Sequence, residues 1–256
     1  MENKETFGAG LAKQIPINEV YTDLAKPAIS TIGQTLQGAT RVALAPISAL
    51  IWGYDKIAAY LDVAIPEYFA KRKISKEKIV SPDPSVAGPL IDAMRYTAHK
   101  EELREMFTNL LGSAMNSDSN DEHPAFVEII KQLSSDECRI LKVLKQDPKI
   151  PIIRLRIKLE SGNGEIDIAP YFSDICFKSG CQFPAKFPEY LSNLARLGLV
   201  DIYRDRYLSD DKYYVALRSH ASFPQIIGVD SEKIVEQKSF FELSELGKKF
   251  CNVCME

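Results

Sequence analysis

Cysteines are the residues whose chemistry and spacing first suggest a site. Four of the five form two close pairs, Cys176 with Cys181 and Cys251 with Cys254. Four thiolates can hold one zinc ion tetrahedrally. However, neither pair lies in a glycine-flanked zinc knuckle. The second pair falls in the last turn of an amphipathic helical pattern, where cysteine is commonly a small buried hydrophobe. A helix N-terminus, which would lower the pKa of a thiol, is not present at that position. The sequence therefore disfavours zinc, and a redox site at the second pair, and we expect no cofactor.

A run of basic residues is the second candidate site. Residues 139–158 hold seven lysines and arginines against one aspartate, which leaves a net charge of +6. Basic side chains spread over a helix and one strand face could contact nucleic-acid phosphates, whereas most charge runs form a solvated face. The candidate nucleic-acid contacts are Arg139, Lys142, Lys145, Lys149, Arg154, Arg156 and Lys158, together with Arg196 on a later helix.

Catalytic motifs are missing from the sequence. It contains no P-loop, no G-x-S-x-G nucleophile elbow and no H-E-x-x-H zinc motif, and its three histidines lie far apart. Glu165 and Asp167 could form a carboxylate pair on one strand face, but no third group that would complete an acid–base site is evident. We therefore expect a solvated face at this strand and a protein that is not an enzyme.

The composition is that of an ordinary globular protein. The 256 residues are 45% hydrophobic and 26% charged, with a net charge of −3 and a pI near 5.8, which excludes a protein that is basic all over. The number of cysteines is odd, and the first residues, MENKETFGAG, contain no apolar signal region. Both observations favour a reducing cytoplasm over a disulfide framework.

The first half of the chain shows helical patterns. Residues 27–54 carry one charge, Arg41, and their longest apolar run, Val42–Trp52, is 11 residues long, whereas a membrane helix needs about 20. A permanent membrane span is therefore not expected, and conditional insertion of the low-charge helices into a membrane is an alternative. The predicted helices occupy residues 18–26, 28–44, 47–62, 86–97, 100–115 and 124–133.

Strand patterns alternate with helices after residue 134. Ser134 followed by Glu137 predicts a capping box at a helix start, and Pro188–Leu197 is bounded by a proline and by Gly198 in the manner of a complete helix. A last helix is capped by Ser244. The predicted strands occupy residues 154–159, 165–168, 199–204 and 213–217.

This order of elements indicates a winged-helix-like domain. The helix Pro188–Leu197 would be the recognition helix, and Leu199–Leu217 would be the wing. That helix carries one arginine, Arg196, and one glutamate, Glu189, so protein contact is at least as good an interpretation as the reading of a DNA groove. The predicted fold is mainly α with a smaller α+β part: an N-terminal helical bundle, residues 1–133, followed by a winged-helix-like C-terminal domain, residues 134–256.

Six segments combine residues in a familiar way. They are Val20–Pro27, Ile51–Ile57, Asn109–Met115, His123–Ser134, Tyr190–Leu199 and Leu243–Cys251. Together they resemble the abortive infection alpha (Abi-alpha) family, and the resemblance covers nearly the whole chain. It implies a bacterial protein of phage defence by abortive infection. The family has no agreed catalytic residues, so none are transferred to this sequence.

We therefore expect a cytoplasmic, non-enzymatic phage-defence protein that acts as a sensor or effector by binding a macromolecular partner. The expected partner is a protein or a second copy of the chain, with nucleic acid as a further possibility, and no small-molecule substrate is evident. The alternatives are a membrane-active effector that uses the low-charge helices 27–62 and a winged-helix regulator that binds nucleic acid.

Overall fold

The computed structural model describes residues 51–119, 121–159, 164–226 and 230–255. The chain forms two compact units, residues 1–120 and residues 121–256. The described part of the first unit is helical, and the second unit combines helices with an antiparallel sheet. The expected combination of a helical part and an α+β part is therefore confirmed at the level of fold class, but the α+β unit, residues 121–256, is not the smaller one.

Local sequence explains how the first unit is built. The Asp83 side chain accepts a hydrogen bond from the Ser85 N–H and so caps a helix start. A Cβ atom at Gly112 would lie 2.4 Å from the Tyr68 ring. Glycine at this position therefore allows the helix that contains it to pack closely against the helix that contains Tyr68. The helices are α1 (Tyr54–Lys71), α2 (Pro84–Thr97) and α3 (Glu101–Ala114), with a 3₁₀ turn at Lys76–Lys78.

Two of the predicted helices, 86–97 and 100–115, are confirmed as α2 and α3. α1 continues to Lys71, past the predicted end at residue 62, because buried Leu61, Ile65 and Phe69 extend the apolar stripe.

The predicted helices at 18–26 and 28–44, and residues 47–50 of the next one, lie outside the described residues. In the ranges that the structure describes, no helix is both long and apolar enough to cross a membrane.

Among its described residues, the second unit has four antiparallel strands in the order β2-β1-β4-β3. The strands are β1 (Lys149–Lys158), β2 (Glu165–Phe172), β3 (Val200–Tyr203) and β4 (Ile234–Leu243). The helices are α4 (Ala125–Lys131), α5 (Ser135–Gln146), α6 (Ile175–Lys178), α7 (Phe187–Arg196), α8 (Lys212–Arg218) and α9 (Glu245–Cys254), with 3₁₀ turns at Pro184–Lys186 and Ser231–Lys233.

The helix-start and helix-end signals of this unit are confirmed. The Ser134 N–H donates to Glu137 Oε2 at 2.7 Å, and the Glu137 N–H donates to Ser134 Oγ at 3.3 Å, which completes the capping box. Gly198 follows α7 with a φ of 72°, the left-handed conformation that favours glycine. Ser244 Oγ accepts the Gly247 N–H at 2.9 Å and caps α9.

The predicted strand Tyr213–Leu217 is wrong, because these residues form helix α8. Tyr214 and Leu217, three positions apart, are fully buried, whereas Tyr213 and Val215 are exposed, which is a helical pattern of burial. Tyr214 also donates a hydrogen bond from its hydroxyl to the Ser239 carbonyl at 2.9 Å. Packing against the sheet thus outweighs the strand preference of tyrosine and valine.

β4 is the strand that sequence patterns did not predict. It pairs with β1 from Lys149↔Glu242 to Ile157↔Ile234, and its C-terminal end also pairs with β3. The prediction that residues 199–204 and 213–217 form the two strands of a wing is therefore wrong: β3 pairs with β4, and the connection between them, residues 204–233, contains α8.

The boundary between the two units lies at residues 120–121, whereas the change in composition predicts a boundary at residues 133–134. Helix α4 belongs to the second unit, which begins at Asp121. Phe126 of α4 meets the Phe250 ring of α9 edge-on, with the ring centroids 5.4 Å apart. This aromatic contact joins elements that are more than 100 residues apart, which local composition does not reveal.

Candidate interaction surface

Paired charges cover one face of the sheet. Arg154 Nε and NH2 each donate to an oxygen of Asp167 at 2.6 Å, and Arg156 forms an ion pair with Glu165. Side chains two positions apart point to the same face of a strand, so β1 supplies the cations of this face and β2 supplies the anions. The hydrogen bonds from Arg154 lower the pKa of Asp167. The expected solvated carboxylate pair is therefore an ion-paired one.

Further ion pairs continue the pattern onto α8 and β4. Arg218 donates to Glu236 at 2.6 Å and lies 3.7 Å from Asp211. Lys238 donates to Asp211 at 2.5 Å. The basic groups of this face thus have acidic partners beside them, and little of their charge is left to attract a polyanion.

The remaining basic candidates are dispersed over the second unit. Lys145 donates to the Met255 carbonyl at 3.0 Å, and the Lys149 ammonium lies 5.6 Å from the centre of the Phe240 ring. Arg196 donates to Gln132 Oε1 at 2.9 Å. Lys142 is exposed on α5, and Lys158 is exposed at the end of β1. Of the eight candidates, the structure brings together Arg154, Arg156 and Lys158.

The outward face of α7 is small and weakly charged. Tyr190, Leu191 and Leu194 are buried, whereas Glu189 and Ser192 are exposed. Because a helix that reads a DNA groove needs basic or amide side chains on this face, α7 is poorly suited to that role.

A segment that begins at the last residue of β3 forms a surface that no sequence motif indicated. We define residues 203–207, of sequence YRDRY, as the Tyr-Arg loop. The Arg204, Asp205, Arg206 and Tyr207 side chains are exposed, Tyr207 to 66%. The Gln237 side-chain amide donates to the Arg204 carbonyl at 2.6 Å and ties the loop to β4. The only signal in the sequence was the alternation of tyrosine and arginine in a polar segment.

A cleft of about 430 Å³ lies between this loop and the sheet. The Nε atom of Arg156 is buried without a hydrogen-bond partner. The cleft combines cations, anions and an exposed aromatic ring, which suits recognition by hydrogen bonds and stacking. Its lining residues are Arg156, Arg204, Asp205, Tyr207, Glu236, Gln237 and Lys238.

All five cysteines are buried, and none of them forms a disulfide. Cys251 and Cys254 lie in α9, and burial raises the pKa of the Cys251 thiol to about 12. In the part of the chain that the structure describes, no group of three or more histidine, cysteine or acidic side chains could hold a metal ion. Cys176, Cys181, Cys251 and Cys254 thus have no zinc-binding arrangement there.

Asp136 lies beside the first cysteine pair. Its oxygens accept hydrogen bonds from the N–H groups of Gln182 at 2.8 Å and Phe183 at 3.0 Å, and from the Tyr190 hydroxyl at 2.9 Å. Arg139 also donates to this carboxylate, at 2.8 Å. The carboxylate therefore fastens the segment before α7 onto the start of α5, and Arg139, a nucleic-acid candidate in the sequence, is engaged in this network.

Comparisons with known proteins give the family context. No curated protein matches the sequence. A solved structure of an uncharacterised protein from the hydrocarbon-degrading marine bacterium Alcanivorax borkumensis SK2 is similar, with 21% identity and a TM-score of 0.36, over 50% of this chain and 90% of that chain. Residues 61–254 match the abortive infection alpha family. Because this match covers both units and most of the sequence, the chain belongs to the abortive infection alpha family.

Proposed function

We propose that the chain acts in abortive infection against phage as a cytoplasmic, non-enzymatic sensor or effector that binds a protein partner through its second unit. Family membership supports the defence context. Five cysteines without a disulfide suit a reducing compartment. The choice of a protein as the partner rests on the exposed tyrosine and arginine side chains of the Tyr-Arg loop.

The connectivity of the second unit supports a winged-helix-like interpretation. The elements α5, β1, α6, α7, β3 and β4 occur in this order along the chain, with β2 inserted after β1 and α8 inserted after β3, and the three strands lie in the order β1-β4-β3. In this interpretation α7 is the recognition-type helix, β2 is an added edge strand, and the β3–β4 connection is an enlarged wing. In this interpretation the Tyr-Arg loop lies at the start of the wing.

The chemistry of the loop favours protein over nucleic acid. Tyrosine and arginine are enriched among the residues that contribute most to protein–protein binding, and mixed charges at the rim of an interface favour a specific partner. Nucleic-acid binding instead needs a surplus of cations, whereas Arg154 and Arg156 are paired with Asp167 and Glu165. The surface therefore suits a protein with complementary charges.

Phage challenge with a loop variant tests the proposal. We expect cells that express the chain to reduce plaque formation, and the double variant Arg204→Ala with Tyr207→Ala to restore it to the level of cells without the chain. Both side chains are exposed, so the variant should unfold at the same temperature as the native protein. Val63→Ala, which truncates an exposed side chain in the first unit, is the matched control and should keep full protection.

A photo-cross-linking amino acid at position 207 identifies the partner class directly. We expect a covalent protein adduct in infected cells, which Arg204→Ala weakens and which the same probe at position 63 does not form. A salt-dependent gel shift that disappears when Arg154, Arg156 and Lys158 are all replaced by glutamate, with nucleic acid in the adduct, would overturn the protein assignment in favour of the winged-helix nucleic-acid regulator.

A further inference from the structure

The end of helix α6 brings two cysteines into contact. Gly180 has a φ of 68°, the Cys181 N–H donates to the Cys176 carbonyl at 2.8 Å, and the Gly180 N–H donates to the Phe177 carbonyl at 3.3 Å. These two hydrogen bonds define the Schellman motif of a helix C-terminus. In this motif the residue whose carbonyl accepts the longer-range bond, here Cys176, lies beside the residue after the glycine, here Cys181. The spacing of Cys176 and Cys181 is thus the spacing of that motif.

The backbone geometry allows a disulfide between these residues. With standard bond lengths, the 2.8 Å hydrogen bond limits the distance between the Cα atoms of Cys176 and Cys181 to about 6.7 Å. Disulfides span Cα distances of about 4.4–6.8 Å. The two thiols are already hydrogen-bonded to each other, so closing the bond requires local side-chain movement.

The surroundings give the two sulfurs different chemical roles. The hydrogen bond from Cys176 lowers the pKa of Cys181, the hydroxyl of Ser179 adds to this effect at 3.2 Å, and the Arg139 guanidinium lies close enough to favour the thiolate. The same hydrogen bond, together with burial, raises the pKa of Cys176. Desolvation and the Asp136 carboxylate oppose the thiolate at Cys181 without reversing the shift. These contacts favour ionisation of Cys181 over ionisation of Cys176, and the Cys181 thiol itself donates to the Asp136 carbonyl at 3.6 Å. An ionisable thiol beside a second thiol is the arrangement in which a sulfenic acid can condense to a disulfide.

We propose that Cys176 and Cys181 form a dithiol site that hydroperoxides oxidise to a disulfide. The Cys181 thiolate attacks the O–O bond of the hydroperoxide, which breaks, and the sulfur becomes a sulfenic acid while the other oxygen leaves and is protonated to water or an alcohol. The Cys176 sulfur then attacks the sulfenic sulfur, the S–S bond forms, and the hydroxyl leaves as water. The two thiols lose two electrons and two protons, and the peroxide accepts them.

Peptide mapping of the full chain after treatment with hydrogen peroxide tests this proposal. Trypsin cleaves after Lys178, so a disulfide joins two otherwise separate peptides, Leu159–Lys178 and Ser179–Lys186. We expect this linked pair in the oxidised protein and its loss after reduction. Oxidation of Cys251 and Cys254 provides an internal control, because burial raises both thiol pKa values, and it should be at least about tenfold slower.

Single variants separate the two roles. With Cys176→Ser, dimedone should trap a sulfenic acid at Cys181, whereas Cys181→Ser should leave Cys176 unmodified. Cys138→Ser should not change the linked peptide. An oxidised native protein without the linked peptide, or one in which Cys251 and Cys254 oxidise equally fast, would overturn the proposal; the native measurement does not depend on whether a variant folds.

Discussion

Asp136 is a carboxylate with 4% of its surface exposed, and its ionisation is coupled to folding. Burial by itself would raise the pKa of Asp136, but the hydrogen bonds from Gln182, Phe183 and Tyr190, together with the Arg139 guanidinium, outweigh burial and hold the pKa below its ordinary value. The folded protein therefore prefers the charged form. The native state binds a proton at this carboxylate at a lower pH than the unfolded chain does. The stabilisation that the charged carboxylate provides is therefore lost in acid.

Asp136→Asn should destabilise the second unit at neutral pH. The substituted side chain is uncharged, and its NH₂ group would face N–H donors, so we expect a loss of about 2–3 kcal/mol in the free energy of unfolding. The difference from the native protein should be complete above about pH 4, the ordinary range of an aspartate, and should shrink below it. Urea unfolding monitored by circular dichroism at several pH values measures this.

Asp121→Asn is the control for this prediction, because Asp121 is exposed. It should leave the free energy of unfolding at neutral pH almost unchanged. A difference between native protein and the Asp136 variant that stays constant down to about pH 2, well below the ordinary aspartate range, would contradict the assigned direction of the pKa shift.

Helix α9 shows how one backbone contact positions a whole element. A Cβ atom at Gly247 would lie 2.0 Å from the Leu199 carbonyl oxygen, and the same carbonyl accepts the Ser244 N–H at 3.0 Å. The first turn of α9 therefore packs directly on the chain that enters β3. A backbone atom cannot rotate away as a side chain can, so this contact requires glycine.

Gly247→Ala should lower the free energy of unfolding by about 2 kcal/mol or more, because the methyl group overpacks against fixed backbone. Alanine is a better helix former than glycine. A Gly247→Ala variant with a higher free energy of unfolding than the native protein would therefore show that the backbone contact is not tight. Lys249→Ala, on the exposed side of the same helix, should change stability by less than about 0.5 kcal/mol. Chemical denaturation of the three proteins provides the comparison.

At the scale of the whole molecule, the two compact units set the limits of an independent domain. The second unit begins at Asp121 and includes α4, whose Phe126 is 1% exposed and packs on Phe250. The change in composition near residue 134 would instead leave α4 with the first unit. The structure therefore predicts different stabilities for fragments cut at the two positions.

A fragment of residues 121–256 should unfold cooperatively and at a higher temperature than a fragment of residues 134–256. Removal of α4 deletes a buried phenylalanine, a loss that typically costs about 3–5 kcal/mol. Thermal unfolding by calorimetry measures the difference, and Phe126→Ala in the longer fragment should reproduce most of it. Equal melting temperatures for the two fragments would place the limit of the domain at residue 134.

Much of the fold could be predicted because its signals are local. The capping box at Ser134 and Glu137, the glycine after α7, and the Ser244 cap depend on hydrogen bonds between residues three to five positions apart. Such interactions form wherever those residues occur together. The charge of the 139–158 segment was equally readable, and so was the family resemblance, which the match over residues 61–254 confirms.

Tertiary structure decided what these residues do. β4 pairs with a strand about 80 residues earlier in the chain, and Tyr214 adopts a helix because its ring is buried against that sheet. Arg154 and Arg156 became ion-pair partners of β2, because strand register placed Asp167 and Glu165 beside them. The sequence by itself determined the caps of α5 and α9, the end of α7, the charges and the family, since each is a property of neighbouring residues. The pairing of charges, the pairing of β3 with β4 and the hydrogen bond from Cys181 to the Asp136 carbonyl depend on distant segments, which meet only when the chain folds.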